Sequence, residues 1–274
     1  MAGASLRAAA RADLDVIWPA VRASHLFADK ASFERHHAQA PWRVRISSAG
    51  AAAVLERWRD EMDVLSIRGM WCSEPKIPEL VRELAGVARA QGFARILSPL
   101  ISADCRGSYE RAGMKIEETL VSLRIDRTLG GSMRAELPGA VRVRRCTQSD
   151  VPDLDALDRA CFAPFWAYGV ERISSYVEAE RVVIAEIEGR AIGYTLCTVE
   201  RGSGTLGRLA VLPDERRQGV GACLVFDAVS AMLALGAAAV TLCTQQDNYA
   251  ARSLYRGMGF RELPGELVLL MGQA

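Results

Sequence analysis

Two clusters in the last third of this 274-residue chain have residue types and spacing suited to chemistry. The first is Arg216-Arg217-Gln218-Gly219-Val220-Gly221-Ala222, between an apolar run closed by Pro213 and a second apolar run. Gly219 and Gly221 remove side chains where backbone N–H groups must approach something closely. Exposed N–H groups and the positive end of a helix dipole favour a phosphate or pyrophosphate there, and Arg216 and Arg217 add charge-assisted donors. The same residues also suit a plain capped turn. The pattern is neither G-x-x-x-x-G-K-S/T nor G-x-G-x-x-G, so those nucleotide-binding signatures are missing. The second cluster is Asn248-Tyr249-Ala250-Ala251-Arg252-Ser253-Leu254-Tyr255. Asn248, Ala251 and Tyr255 stand at i, i+3 and i+7, on one face of a helix. A small Ala beside a Tyr hydroxyl leaves room for a ligand chain and offers a weak acid. A lone helical Tyr equally serves packing.

The elements that must position these residues are legible around them. Residues 181–200 read as two β-rich runs joined in a hairpin at Glu188-Gly189. Residues 204–213 read as a third strand. Leu224, Val225, Ala228, Val229, Met232 and Leu235 recur at helical spacing, with Gly236 as the stop. Residues 238–245 are an apolar strand. A helix follows from Asn248, a good N-cap, to a stop at Gly259, and two short strands close the chain. With the strand and helix after Val141, the order is β-α-β-β-β-α-β-α-β-β.

The first half repeats this plan. Tyr109 and Tyr255 correspond, as do Gly113 and Gly259, both at an offset of 146, and Gly92 and Gly236 match at 144. Three matches in register near half the chain length indicate duplication. Residues 127–140, with three glycines and a proline, read as a linker. The expected fold class is α/β (α+β), with two domains at 1–126 and 141–274, each a mixed twisted sheet flanked by helices.

Composition bounds the function. Lys and Arg total 34 against 33 for Asp and Glu, a formal net charge of +1. That balance argues against a nucleic-acid binder acting through a basic surface. No stretch suits a secretory signal or a transmembrane helix, so a cytoplasmic protein with no membrane partner is expected. The seven cysteines form no C-x-x-C pair, and most lie in apolar runs, as buried free thiols would. The only histidines are His25, His36 and His37, with no Cys beside them, so no metal site is expected.

Arg216-x-x-Gly219-x-Gly221, followed after a strand by Asn248, Ala251, Leu254, Tyr255, Gly259 and Phe260, resembles the GNAT acyltransferase superfamily. The resemblance implies an acetyl-CoA-dependent N-acetyltransferase. On it, the backbone of Leu209, Ala210 and Val211 would pair with the pantetheine amides. The N–H groups of Arg217, Gln218, Gly219, Val220, Gly221 and Ala222 would hold the pyrophosphate beside Arg216. Asn248 would bond near the pantetheine or thioester, Ala251 would leave it room, and Tyr255 would protonate the leaving thiolate. The aromatic segment Phe162-Ala-Pro-Phe165-Trp166-Ala-Tyr168 either staples the core or lines the acceptor pocket through Phe165 and Trp166.

This segment is also similar to the ribosomal-protein alanine N-acetyltransferases. They carry a glutamate on the strand before the Asn helix, where this chain has Cys243. Glu200 and Asp247 are the nearest acids, neither on a motif position, so no base is assigned.

The first half lacks the pyrophosphate pattern. Its equivalent loop is Met70 to Leu80, with Glu74, Glu79 and the donor-less Pro78. Ser102 and Cys105 replace Asn248 and Ala251, while Tyr109 survives. Residues 1–126 thus read as a degenerate GNAT-like domain, one that completes the acceptor site, holds the pair together or keeps an altered occupied site. The tandem layout is similar to the mycothiol synthases. The acceptor would be a small-molecule amine or a protein N-terminus, in a monomer or homodimer. The alternative is a non-catalytic acyl-CoA-binding or scaffold protein.

Overall fold

The structure, a computed structural model, describes residues 5–24, 26–27, 29–59, 63–131, 139–179 and 181–274. In chain order its elements are β1 (Arg7–Ala8), α1 (Leu14–Ala23), α2 (Lys30–Gln39), β2 (Val44–Ile46), β3 (Ala52–Arg57), β4 (Val64–Trp71), α3 (Ile77–Ala90), β5 (Arg95–Leu97), β6 (Ile101–Ser102), α4 (Arg106–Glu110), β7 (Lys115–Asp126) and α5 (Arg127–Gly130). The second half continues with β8 (Arg142–Arg145), α6 (Val151–Cys161), α7 (Val170–Ala179), β9 (Arg181–Ile187), β10 (Arg190–Glu200), β11 (Ser203–Val211), α8 (Val220–Ala234), β12 (Ala239–Gln245), α9 (Tyr249–Gly257) and β13 (Arg261–Gln273). No helix among the described residues is long and apolar enough to cross a membrane.

Two compact units form. One is Met1–Trp58, Met62–Thr119 and Leu267–Ala274; the other is Arg59–Glu61 and Leu120–Glu266. The predicted pair of short strands ending each half is instead one long strand, β7 or β13. Nothing in KIEETLVSLRID breaks the run of β7, and β13 continues past Gly265, which turns left-handed at φ +88°. Each long strand also changes unit midway. Leu120–Asp126 of β7 pairs along the whole of β12, and Met271–Gln273 of β13 pairs with β5.

In the first unit the strands run β1-β2-β3-β4-β5, and β5 pairs onward with the end of β13; every pair is antiparallel except β4–β5. Leu55, Leu65, Ile67, Leu84 and Ile96 fill one core, and Leu14, Val21, Phe33 and Val54 another. In the second unit the order is β8-β9-β10-β11-β12-β7, with only β11–β12 parallel. The hairpin turn is as expected, with Glu188 at φ +50° and Gly189 at +81°, the two left-handed residues of a tight β-turn. Two helices, α6 and α7, follow β8, where the sequence order allowed one. α8 buries Val220, Leu224, Val225, Ala228, Val229 and Met232 against this sheet.

The units repeat one another in detail. β4 pairs with β5 only over Val64–Ser66, and β11 with β12 only over Ser203–Thr205; beyond, each parallel pair parts. Each of β4 and β11 also carries a β-bulge against its hairpin partner, leaving Arg68 or Gly207 as the extra residue. Both features recur at an offset of 139.

The predicted linker begins with α5, and residues 132–138 of it lie outside the described residues. All seven cysteines are free thiols, but the expectation of burial holds for Cys146, Cys197 and Cys223 only. Cys105 and Cys243 are exposed.

Candidate active site

The parting of β11 from β12 leaves Leu209, Ala210 and Val211 with no strand partner on that edge among the described residues, while β10 pairs with them on the other. Their backbone groups on the open side can therefore bond an extended ligand chain. The buried Thr195 hydroxyl fixes the strand by donating to the Arg208 carbonyl at 2.8 Å. Arg216 Nε donates to the Val211 carbonyl at 3.0 Å, which ties the following loop to the strand end. That carbonyl is thus already engaged.

The loop Leu212–Gly219 turns sharply. Arg217 has φ +66° and Gly219 φ +88°. Left-handed residues interleaved in a turn bring successive N–H groups to one side and form an anion-binding concavity. Arg217 is one of three non-glycine residues with positive φ among the described residues; the other two, Glu188 and Arg201, lie in the turns between β9 and β10 and between β10 and β11. α8 starts directly after Gly219. Its first closed turn is the Cys223 N–H to the Gly219 carbonyl at 3.1 Å, so the N–H groups of Val220, Gly221 and Ala222 have no acceptor in the helix. Arg216, Arg217, Gln218 and Gly219 are exposed. A Cβ on Gly221 would sit 3.3 Å from Leu254 Cδ2 and 3.8 Å from Val211 Cγ2, so the helix start packs directly on α9 and the end of β11.

On α9, Asn248 is the N-cap, with its side-chain oxygen accepting from the Ala251 N–H at 3.2 Å. Tyr255 is buried, with its ring 5.7 Å from that of Phe260. Burial pushes its phenol well above the ordinary value, so the proton stays on the oxygen at neutral pH. Phe165 and Trp166 are half-buried and meet edge to face at 5.2 Å.

Residues 151–260 match the acetyltransferase (GNAT) family. The chain carries a GNAT acetyltransferase domain. It is therefore an acyltransferase. The N-alpha-acetyltransferase of Sulfolobus acidocaldarius is 29% identical over 137 residues, 44% of this chain and 80% of that protein. Two solved structures share the fold. A GCN5-related N-acetyltransferase from Sphaerobacter thermophilus superposes with a TM-score of 0.69 at 19% identity, over 98% of this chain and 95% of that one. A tandem GNAT protein from the clavulanic acid biosynthesis pathway gives 0.64 at 14%, over 84% and 81%.

The GNAT domain also contains a polar hub that sequence reasoning missed. Asp158, near the end of α6, is fully buried and pairs with buried Arg208 of β11 at 2.7 Å. The Tyr194 hydroxyl donates to Asp158 at 2.6 Å, and so does the Tyr168 N–H. The guanidinium lies 3.5 Å from the Phe162 ring centroid and 4.1 Å from that of Tyr168. Two of the four clustered aromatics therefore flank Arg208, and the other two pair with each other. One signal was available: Asp158 is the single acid at a core-facing position of α6, beside Leu154 and Leu157. Both buried carboxylates among the described residues, Asp150 and Asp158, are held by arginines, so neither is free to act as a base.

The corresponding place in the first unit is built differently. Only five residues, Cys72–Lys76, join β4 to α3, against eight between β11 and α8, and none of the five is left-handed. Pro78 occupies the first turn of α3. Ser108 of α4 donates to Glu74 at 3.2 Å and accepts from Arg111 at 2.8 Å, closing loop against helix. Tyr109 remains buried, its phenol pushed up to about 12 by burial and by Cys72 and Cys105.

Proposed function

We propose that this GNAT protein is an acetyl-CoA-dependent N-acetyltransferase with its working site in the second unit. The observation that carries this reading is the left-handed pair Arg217 and Gly219 at the start of α8, beside the open edge of β11. The N–H groups of Gln218 to Ala222 hold the pyrophosphate, and Arg216 and Arg217 add charge. Leu209 and Ala210 offer backbone bonds to the pantetheine. Asn248 starts the helix that carries Ala251, whose small side chain leaves room for the thioester. Tyr255 keeps its proton until the thiolate departs and then delivers it to the sulfur. Phe165 and Trp166 form the apolar wall of the acceptor site. The acceptor is a primary amine, and a polypeptide N-terminus is the first to test, because the archaeal relatives carry the name N-alpha-acetyltransferase. No side chain is assigned as base; the amine arrives neutral or loses its proton through water.

Residues 1–126 act as a degenerate domain that does not bind acetyl-CoA. The short β4–α3 connection, Pro78 and the Glu74–Ser108 closure all support that reading.

The test combines binding and turnover. Calorimetry with acetyl-CoA is expected to give one site per chain. CoA release is then measured with free-amine peptides and with small amines as acceptors, and Tyr255→Phe is expected to lower it about 100-fold. Tight binding of acetyl-CoA without release on any acceptor would establish the non-catalytic alternative instead.

A further inference from the structure

We infer that Asp158, Arg208 and Tyr194 are positioning residues that hold the acceptor wall in register with the strand that receives pantetheine. This rests on the roles proposed above for Phe165, Trp166, Leu209 and Ala210.

The geometry is closed on all sides. Arg208 Nε donates to Asp158 Oδ1 at 2.9 Å, and Nη2 donates to Oδ1 at 2.7 Å and to Oδ2 at 2.9 Å. Nη2 also donates to the Trp166 carbonyl at 2.9 Å. Asp158 Oδ2 accepts the Tyr168 N–H at 2.6 Å. The pair thus grips the aromatic segment by its backbone on both sides of Ala167. Arg208 directly precedes Leu209 in β11. One carboxylate therefore fixes both the strand and the segment. The cations Arg59 and Arg172 also lie over the Tyr168 ring, at 4.6 and 5.7 Å.

The fold itself does not require this hub, and the first unit proves the point. Its Arg7–Asp13 pair repeats Arg144–Asp150 at an offset of 137, which sets Val21 opposite Asp158. The bulged strands, offset by 139, set Gly69 opposite Arg208, and the strand register sets Ala52 opposite Tyr194. Val21 and Ala52 are buried together in an apolar core. A Cβ on Gly69 would lie 2.6 Å from Leu26 Cδ1 and 2.9 Å from the Trp71 ring, so the space that Arg208 fills in the second unit is filled here by the side chains of Leu26 and Trp71. The same architecture is thus assembled with Val, Ala and Gly where the anion loop is missing, and with Asp, Tyr and Arg where it is present. Buried ion pairs contribute little net stability, and apolar replacements of similar volume are often neutral. What this one supplies is placement, and a displacement of about 1 Å near reacting atoms can cost roughly 100-fold in rate.

The experiment compares the full-length protein with Tyr194→Phe, Arg208→Leu, Arg208→Lys and the apolar double variant Asp158→Val/Arg208→Leu. Three quantities are read: the Kd of acetyl-CoA, kcat/KM for an alanine-initiated peptide, and hydrogen exchange at residues 162–169 and 217–223. The double variant is expected to stay folded and to keep its acetyl-CoA Kd within about twofold. Its kcat/KM for the peptide is expected to fall about 100-fold, with faster exchange confined to 162–169. Tyr194→Phe, which removes one hydrogen bond and no charge, is expected to lose about tenfold, a loss of one charged hydrogen bond's size. Arg208→Lys is expected to recover part of what Arg208→Leu loses. Acetyl-CoA affinity and peptide kcat/KM falling together, or unchanged exchange at 162–169 in every variant, overturns the inference. A wild-type protein that binds no acetyl-CoA overturns the proposed function instead, while the exchange measurement still decides the hub's role.

Discussion

At the scale of single residues, the protonation of Tyr255 makes the proposed chemistry testable by pH. Burial raises its phenol above the ordinary value, so the acid form persists throughout the working range. The acceptor amine has the opposite requirement, because only its neutral form attacks. The rate with a peptide acceptor is therefore expected to rise with pH through the α-amine value of about 8 and then to stay level to about pH 10. A descending limb below pH 10 that disappears in Tyr255→Phe would contradict a raised phenol. Tyr255, Asn248, Gly219 and Gly221 were legible in the sequence because local geometry governs them: a cap, a helix face, a left-handed turn. Asp158 and Arg208 were not, since they stand 50 positions apart and only the packing of α6 on β10 and β11 brings them together. The left-handed turn at Arg217 was also hidden, because Arg gives no local signal for positive φ.

At the element scale, charge also fastens the edge of the second unit's sheet. Arg144 on the edge strand β8 reaches Asp150 at 2.7 Å and Glu186 of β9 at 2.9 Å. Asp150 also accepts the Thr147 N–H at 2.8 Å, in a capping box on the short 3-10 turn Gln148–Asp150 that leads into α6. The Arg144 hydrogen bond holds the Asp150 carboxyl well below the usual carboxylate range. A depressed folded value stabilises the protein above the unfolded value of about 4 and is lost as pH falls toward the folded one. Asp150→Asn is therefore expected to cost roughly 1 kcal/mol at pH 7, a modest figure because Arg144 is partly exposed. Urea unfolding at pH 7 and pH 3 measures it, and an equal deficit at both pH values would remove the ion pair from the explanation. Element types were largely legible from period and punctuation. The continuity of β7 and β13 was not, since a strand's partner lies outside its own sequence.

At the scale of the whole molecule, the exchange of strand ends makes the folding units differ from the halves of the repeat. Residues 141–274 contain every motif position of the GNAT domain, yet they omit Leu120–Asp126. Those seven residues supply the antiparallel partner for all of β12, which β11 contacts at only three positions. Val121, Leu123 and Ile125 are also buried in the same core as Tyr255 and Phe260. Burying such side chains is worth about 1.5–3 kcal/mol each, against a domain's total stability of roughly 5–15 kcal/mol. A fragment of residues 141–274 is therefore expected to lack a cooperative thermal transition. A fragment of residues 120–266 keeps the strand and sheds Leu267–Ala274, which belongs to the other unit's core through Val268 and Leu270. It is expected to unfold cooperatively and to bind acetyl-CoA. Circular dichroism melts of the two fragments with and without acetyl-CoA decide the matter. A cooperative, ligand-stabilised transition in 141–274 equal to that of 120–266 would mean that β12 needs no partner from β7.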